Sequence, residues 1–184
     1  ATAGYLIAQK DVEKIHFITG EIAVTMAGTV SDAQLLVRLL QAELRLKRMR
    51  TVQSVTVKEA ANLMARLVYN NIRQFSVIPG VAHFIMAGVD ETGMYLFDLF
   101  PDGSLSDVKM FVSSGSGSVM AYGVLETLYK KDISLNEGIS LAAKCINAAV
   151  QRDIASGQGI DIFTITKEGA KKIVSKEIPY KIEV

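Results

Sequence analysis

The chain has 184 residues, 49% of them hydrophobic and 21% charged, which suits one globular domain with a sizeable core and excludes a disordered chain. Twenty basic residues against nineteen acidic ones leave a formal charge of +1, so no Lys/Arg surplus favours nucleic acid or an anionic membrane as the main partner. The longest apolar runs fall far short of the ~20 residues of a membrane span, and no charged-then-apolar leader stands at the start; the expectation is a soluble, cytoplasmic protein.

Residues 1–19 begin without an initiator methionine, and Ala1-Thr2-Ala3-Gly4-Tyr5-Leu6-Ile7 reads like the interior of a structured region. Lys14-Ile15-His16-Phe17-Ile18 alternates with a period of two, and Ile22-Ala23-Val24-Thr25-Met26-Ala27 is rich in strand formers, so a hairpin of half-buried strands is expected, ended by Gly28. Ser31-Asp32-Ala33-Gln34 matches a capping box and predicts a helix to about Met49, with Leu35, Leu36, Leu39, Leu40 and Ala42 as its apolar stripe. Thr56-Val57-Lys58-Glu59 is a second box, for a helix to about Ile72 whose apolar face is Ala60, Leu63, Met64, Leu67 and Val68.

Beyond Pro79-Gly80, the apolar run from His83 to Val89 predicts a strand buried on both faces, turned by Asp90-Glu91-Thr92-Gly93 into Met94 to Leu99. Pro101-Asp102-Gly103-Ser104 is a turn, with proline fixing φ and glycine taking the left-handed position, and Val108 to Val112 is expected as one more strand. A Gly/Ser loop then leads into a helix over about Val119 to Tyr129. Ser134-Leu135-Asn136-Glu137 opens a further helix that closes at Gln151-Arg152-Asp153-Ile154-Ala155-Ser156-Gly157, where Gly157 suits a helix C-terminus. Ile160 to Ile165 and Lys172-Ile173-Val174, separated by Glu168-Gly169, predict a last hairpin. Without a linker, repeat or low-complexity stretch, residues 1–184 read as a single domain.

Strands in adjacent antiparallel groups and helices in pairs imply an α+β fold rather than a doubly wound parallel sheet. Two stacked antiparallel sheets with a helix pair on each outer face, a four-layer αββα sandwich, would bury every apolar face. Cys145 lies on an apolar helix side and reads as a buried, inert thiol. His16 and His83 have no Cys, Asp or Glu at metal-ligand spacing, so no zinc site is expected.

Three stretches together carry a resemblance. They are Met26-Ala27-Gly28-Thr29-Val30-Ser31-Asp32-Ala33-Gln34-Leu35-Leu36-Val37-Arg38, then Ser114-Gly115-Ser116-Gly117-Ser118 with Ala121-Tyr122-Gly123-Val124-Leu125-Glu126, then Gln151 to Gly157. From about residue 1 to about residue 168 the chain resembles the β-type subunits of the core proteasome, in the N-terminal-nucleophile hydrolase superfamily, archaeal-like members among them. Each stretch alone also has an ordinary structural reading: a strand-end lysine, a strand-terminating glycine, a helix N-cap, a helix-face charge.

The resemblance implies roles for particular residues. Lys14 matches the family's catalytic lysine, Gly28 the glycine whose backbone N–H stabilises the oxyanion, and Ser116, Asp153 and Ser156 the polar cluster that holds the nucleophile and the lysine in register. A threonine hydroxyl is a weak nucleophile until a neighbouring base takes its proton, and a fixed backbone donor meets the developing charge without reorganisation. The family's specificity pocket corresponds to Ala1, Val12, His16, Met26 and Val30, a mostly apolar set that favours large hydrophobic side chains before the scissile bond. His16 reads equally well as a core histidine.

The departure from the family is at the start. Active members begin with a threonine, and by alignment on Lys14 and Gly28 the first residue, Ala1, corresponds to a position well inside such a mature chain. Thr2 stands too close to Lys14 to take that place. The expectation is therefore a sandwich without its first strand pair, and no peptidase activity from residues 1–184 by themselves. Lys14, if buried without its usual carboxylate, would be a costly unpaired charge.

By resemblance the partners are other β subunits in a seven-membered ring, rings of α subunits and polypeptide substrate, with no cofactor, no metal, no nucleic acid and no membrane. The alternatives are a non-catalytic structural or assembly subunit of the ring, and an unrelated α/β binding domain. The set Lys14, Gly28, Ser116, Asp153 and Ser156 weighs against the former, because a purely structural subunit has no chemical need for it.

Overall fold

The structure, a computed structural model, describes residues 2–3, 6–7, 12–51, 53–157 and 159–177. In chain order the elements are β1 (Thr2–Ala3), β2 (Leu6–Ile7), β3 (Ile15–Phe17), β4 (Ile22–Gly28), α1 (Val30–Thr51), α2 (Val57–Arg73), β5 (Ala82–Asp90), β6 (Gly93–Leu99), β7 (Leu105–Asp107), α3 (Ser118–Leu128), α4 (Leu135–Val150), β8 (Gly159–Thr166) and β9 (Gly169–Glu177). They fall into two compact units, one of residues 13–114 and 165–170, the other of the described residues among 1–12, 115–164 and 171–184. All strand pairs are antiparallel and the helices come as α1–α2 and α3–α4, so the α+β class expected from the sequence is the one found.

In the first unit, β3 to β7 form a five-stranded sheet in sequence order. Its register places Val24 between His16 and Met86, and Met26 opposite Phe84, with the Met26 N–H reaching the Lys14 carbonyl at 2.9 Å. Because side chains alternate along a strand, Ile22, Val24, Met26, Phe84, Met86 and Leu99 share one face, and each is at most 5% exposed. The helices α1 and α2 cover that face: a Cβ added to Gly88 would stand 2.9 Å from Val57 Cγ2 of α2 and 3.0 Å from Ile22 Cγ1 of the sheet. Each such fully buried side chain contributes about 1.5–3 kcal/mol to the core.

The capping boxes at Thr56 and Ser134 form as expected, with side-chain and backbone bonds made in both directions. The box at Ser31 does not form. The Thr29 N–H is bonded to the Val81 carbonyl at 2.8 Å, so strand pairing runs up to the helix, which starts at Val30, and Ser31 turns its hydroxyl to Asp32 instead. That start also sets the phase of α1. The buried stripe is Ala33, Leu36, Val37, Leu40 and Leu44, while Leu35 (46%) and Leu39 (40%) are exposed and Ala42 faces solvent, contrary to the stripe read from the sequence. In α2, Ala60, Met64 and Val68 are buried as expected.

Two strand expectations are corrected. The strand read at Val108–Val112 is instead β7, at Leu105–Asp107, because the Pro101–Ser104 turn closes so tightly (Phe100 N–H to Ser104 carbonyl, 3.0 Å; Gly103 at φ +87°) that pairing resumes at once, Leu99 opposite Leu105. β5 is not buried on both faces: one face is buried and the other half-buried along most of its length.

In the second unit α3 and α4 pack around Ala121, Leu141 and Cys145, with Val124, Leu125, Tyr129 and Ile133 against them. α4 ends at Val150, so Gln151–Gly157 is a run of turns beyond the helix rather than its last turn, and Gly157 takes φ +81° inside that run rather than as a helix cap. β8 pairs with β9, where Lys172 Nζ meets Asp161 Oδ1 at 2.8 Å, and β1 pairs with β2.

Candidate active site

Gly28 ends β4 in a conformation that glycine alone adopts easily. Its φ is +103°, and a Cβ there would overlap the Val81 carbonyl oxygen and lie 3.0 Å from its carbon. The Thr29 N–H bond to Val81 makes residues 27 and 29 the ones bonded to β5. The Gly28 N–H therefore points away from β5, and no described residue accepts from it. A backbone donor held this way has the form an oxyanion site requires.

Lys14 lies on the same sheet edge, immediately before β3 and bonded through its carbonyl to Met26. Its side chain is exposed and forms no ion pair among the described residues, so the penalty of a buried, unpaired cation does not arise.

In the second unit, one carboxylate gathers two hydroxyls. Ser116 Oγ donates to Asp153 Oδ2 at 2.6 Å and Ser156 Oγ donates to the same oxygen at 2.5 Å, while the Ala155 N–H reaches Oδ1 at 3.3 Å. Asp153 is placed by its own N–H, which bonds the Ala149 carbonyl at 2.8 Å beyond the end of α4. Ser116 is placed by the Gly/Ser loop at the start of α3, where the Ser118 N–H turns back to the Gly115 carbonyl. Gly117 lets the two segments meet: a Cβ there would overlap Ser156 Oγ and stand 2.7 Å from Ala149 Cβ. Ser116, Asp153 and Ser156 are thus joined in one hydrogen-bonded cluster.

Of the residues expected from the resemblance to line a pocket, Met26 is buried at 5%, Val12, His16 and Val30 are half-buried, and Ala1 lies outside the described residues. Strand parity puts Lys14, His16 and Met26 on the face that carries the helices, and Val30 opens α1. The His16 Nε2 is buried without a hydrogen-bond partner among the described residues.

A family model described as "Proteasome subunit" matches residues 1–165. "Proteasome subunit beta" of Methanocaldococcus vulcanius is 43% identical over 179 residues, covering 97% of this chain and 78% of that protein. The same-named proteins of Ferroglobus placidus (41%) and Methanothermobacter thermautotrophicus (39%) each match the whole of this chain and 85% of their own length. The chain belongs to the proteasome family, as a β-type subunit. It is thus a subunit of the core proteasome, a family whose β subunits are in general proteases and which works as an assembly of proteasome subunits.

Some features of this proteasome subunit were not legible in its sequence. His83 Nε2 and Asp98 Oδ1 lie 2.6 Å apart, with the His83 ring stacked on Phe100 at 5.1 Å and Asp98 only 6% exposed. They are 15 residues apart and meet only through the β5–β6 register, which sets Ile85 opposite Asp98. Cys145 is buried, and burial pushes its thiol pKa up, as expected of a structural rather than a nucleophilic cysteine.

Proposed function

We propose that this β-type subunit serves a threonine-type endopeptidase that hydrolyses peptide bonds of unfolded polypeptides in the cytoplasm, with a preference for large apolar side chains before the scissile bond. In this reading Gly28 offers its N–H to the tetrahedral oxyanion and Lys14 favours deprotonation of the nucleophile, with Ser116, Asp153 and Ser156 orienting the amine and hydroxyl of an N-terminal threonine. The observation that carries it is the Asp153 carboxylate holding two serine hydroxyls on one oxygen, at 2.6 and 2.5 Å. A carboxylate so loaded is fixed in position, which suits it to organising a hydroxyl nucleophile and its base. The pocket preference rests on Met26 near the end of β4 and Val30 at the start of α1, with Val12 a further apolar residue of the expected set. Assembly in a seven-membered β ring with α subunits belongs to the same reading.

The test is hydrolysis of fluorogenic peptides by the assembled proteasome containing this subunit. Turnover of peptides with a large apolar residue before the cleaved bond is expected from the assembly. Asp153→Asn is expected to lower kcat by on the order of a hundredfold. Full turnover by an assembly carrying Asp153→Asn would refute the proposed role and favour a non-catalytic ring subunit.

A further inference from the structure

We infer that Asn71 is a positioning residue for the Gly28 backbone donor; the catalytic meaning of this rests on the reading proposed above, the structural part does not. Asn71 stands in the last turn of α2, and its Nδ2 has two protons to donate. One goes to the Gly80 carbonyl at 2.7 Å and the other to Asp32 Oδ1, in the first turn of α1, at 3.3 Å. The two acceptors flank the Gly28 peptide. Gly80 precedes Val81, whose carbonyl accepts the Thr29 N–H at 2.8 Å and abuts Gly28 itself, and Asp32 lies in the helix that begins two residues after Gly28. A single amide thus ties together the two segments between which the Gly28 N–H is aimed.

On its far side the segment that supplies Val81 runs into β5 at Ala82, but before Gly80 little side-chain burial holds it. Phe75, Val77 and Ile78 are 103%, 94% and 73% exposed, so their side chains contribute almost no burial to hold the segment in place. Gly80 is matched to the clamp, because a Cβ there would overlap Asn71 Nδ2 and Asp32 Oδ1 and stand 3.2 Å from Asn71 Cγ. Removing the Asn71 amide takes this donor from the Gly80 carbonyl and from Asp32 Oδ1, while Asp32 Oδ2 keeps the Ser31 hydroxyl, and adding a methyl at Gly80 pushes the amide away. Both changes loosen the Val81 carbonyl and, with it, the peptide that follows Gly28.

The experiment is residue-resolved hydrogen exchange on the 15N-labelled 184-residue chain, comparing wild type with Asn71→Ala, Gly80→Ala and the control Asn62→Ala. Asn62 lies on the same helix, and among the described residues its side chain bonds only the Lys58 carbonyl of its own turn, at 2.8 Å. The expected result is exchange of the Thr29 amide at least tenfold faster, with a shifted Gly28 amide resonance, in both Asn71→Ala and Gly80→Ala, and neither in the control. Unchanged Thr29 exchange would overturn the inference, and so would an equal acceleration across every amide of the sheet, which would mark a merely global loss of stability. In the assembled proteasome the same variants are expected to lower kcat with KM unchanged, because the donor acts on the transition state. Faster Thr29 exchange with unaltered kcat would leave the clamp standing and overturn its catalytic meaning.

Discussion

Gly28→Ala perturbs one atom position and separates two costs. The first is conformational: a non-glycine residue at φ +103° is disfavoured by about 1–2 kcal/mol. The second is contact: the new Cβ falls on the Val81 carbonyl oxygen, a backbone atom that cannot rotate aside. Relief requires Val81 to move, which gives up the 2.8 Å bond from the Thr29 N–H, a further ~0.5–1.5 kcal/mol. The sum is about 1.5–3.5 kcal/mol. Gly93→Ala in the same unit isolates the first cost, since Gly93 has φ +145° with nothing within 4 Å of its Cβ position. Gly20→Ala, with open space and no positive φ, is expected to stay within about 0.5 kcal/mol of wild type. Urea denaturation of the three variants measures the differences. If Gly28→Ala destabilised no more than Gly93→Ala, the argument that Val81 closes over Gly28 would be wrong.

The Asp161 carboxyl pKa is held below its ordinary value, first by the hydrogen bond from Lys172 and also by Ser175. A carboxylate whose folded-state pKa is depressed adds stability above its unfolded pKa and loses it as pH falls through the folded value. The stability gap between wild type and Lys172→Met is therefore expected to be constant near neutral pH and to shrink below the ordinary aspartate range. Denaturant titrations at stepped pH read this, and a gap that persists undiminished into strong acid would count against the pair. Its size is expected to fall with added salt, because both side chains are partly exposed. The buried Cys145 is expected to react with a thiol reagent on the order of a hundredfold more slowly in the native protein than in denaturant, through transient opening alone. Labelling at the rate of a free thiol would contradict its placement between α3 and α4.

Local chemistry was readable where neighbours in sequence supply both halves of an interaction. Thr56 and Glu59, or Ser134 and Glu137, carry a complete capping box within four residues, and both boxes form. The turn at Pro101–Ser104 is equally self-contained. The Ser31 box failed because its competitor lay elsewhere: Val81 holds Thr29 in strand pairing and brings the helix start forward to Val30. The phase of α1 follows from that start, and so the exposure of Leu35 and Leu39 was not readable from a run of leucines that fits two stripes equally well. β7 was displaced for a similar reason, since turn tightness rather than residue propensity decided where pairing resumed.

For the candidate site the division is the same. The sequence by itself determined the inventory and the likeness: Lys14, Gly28, Ser116, Asp153 and Ser156 stand in stretches whose joint spacing marks a proteasome β-type subunit. Tertiary structure alone decided which atoms meet. Ser116 and Asp153 are 37 residues apart, and their 2.6 Å bond exists because the start of α3 and the turns beyond α4 close over Gly117. Asn71 and Asp32 are 39 residues apart and meet only because α1 and α2 pack side by side. Hydrogen bonds act over about 3 Å whatever the separation along the chain, so which donor reaches which acceptor is settled by packing and not by order.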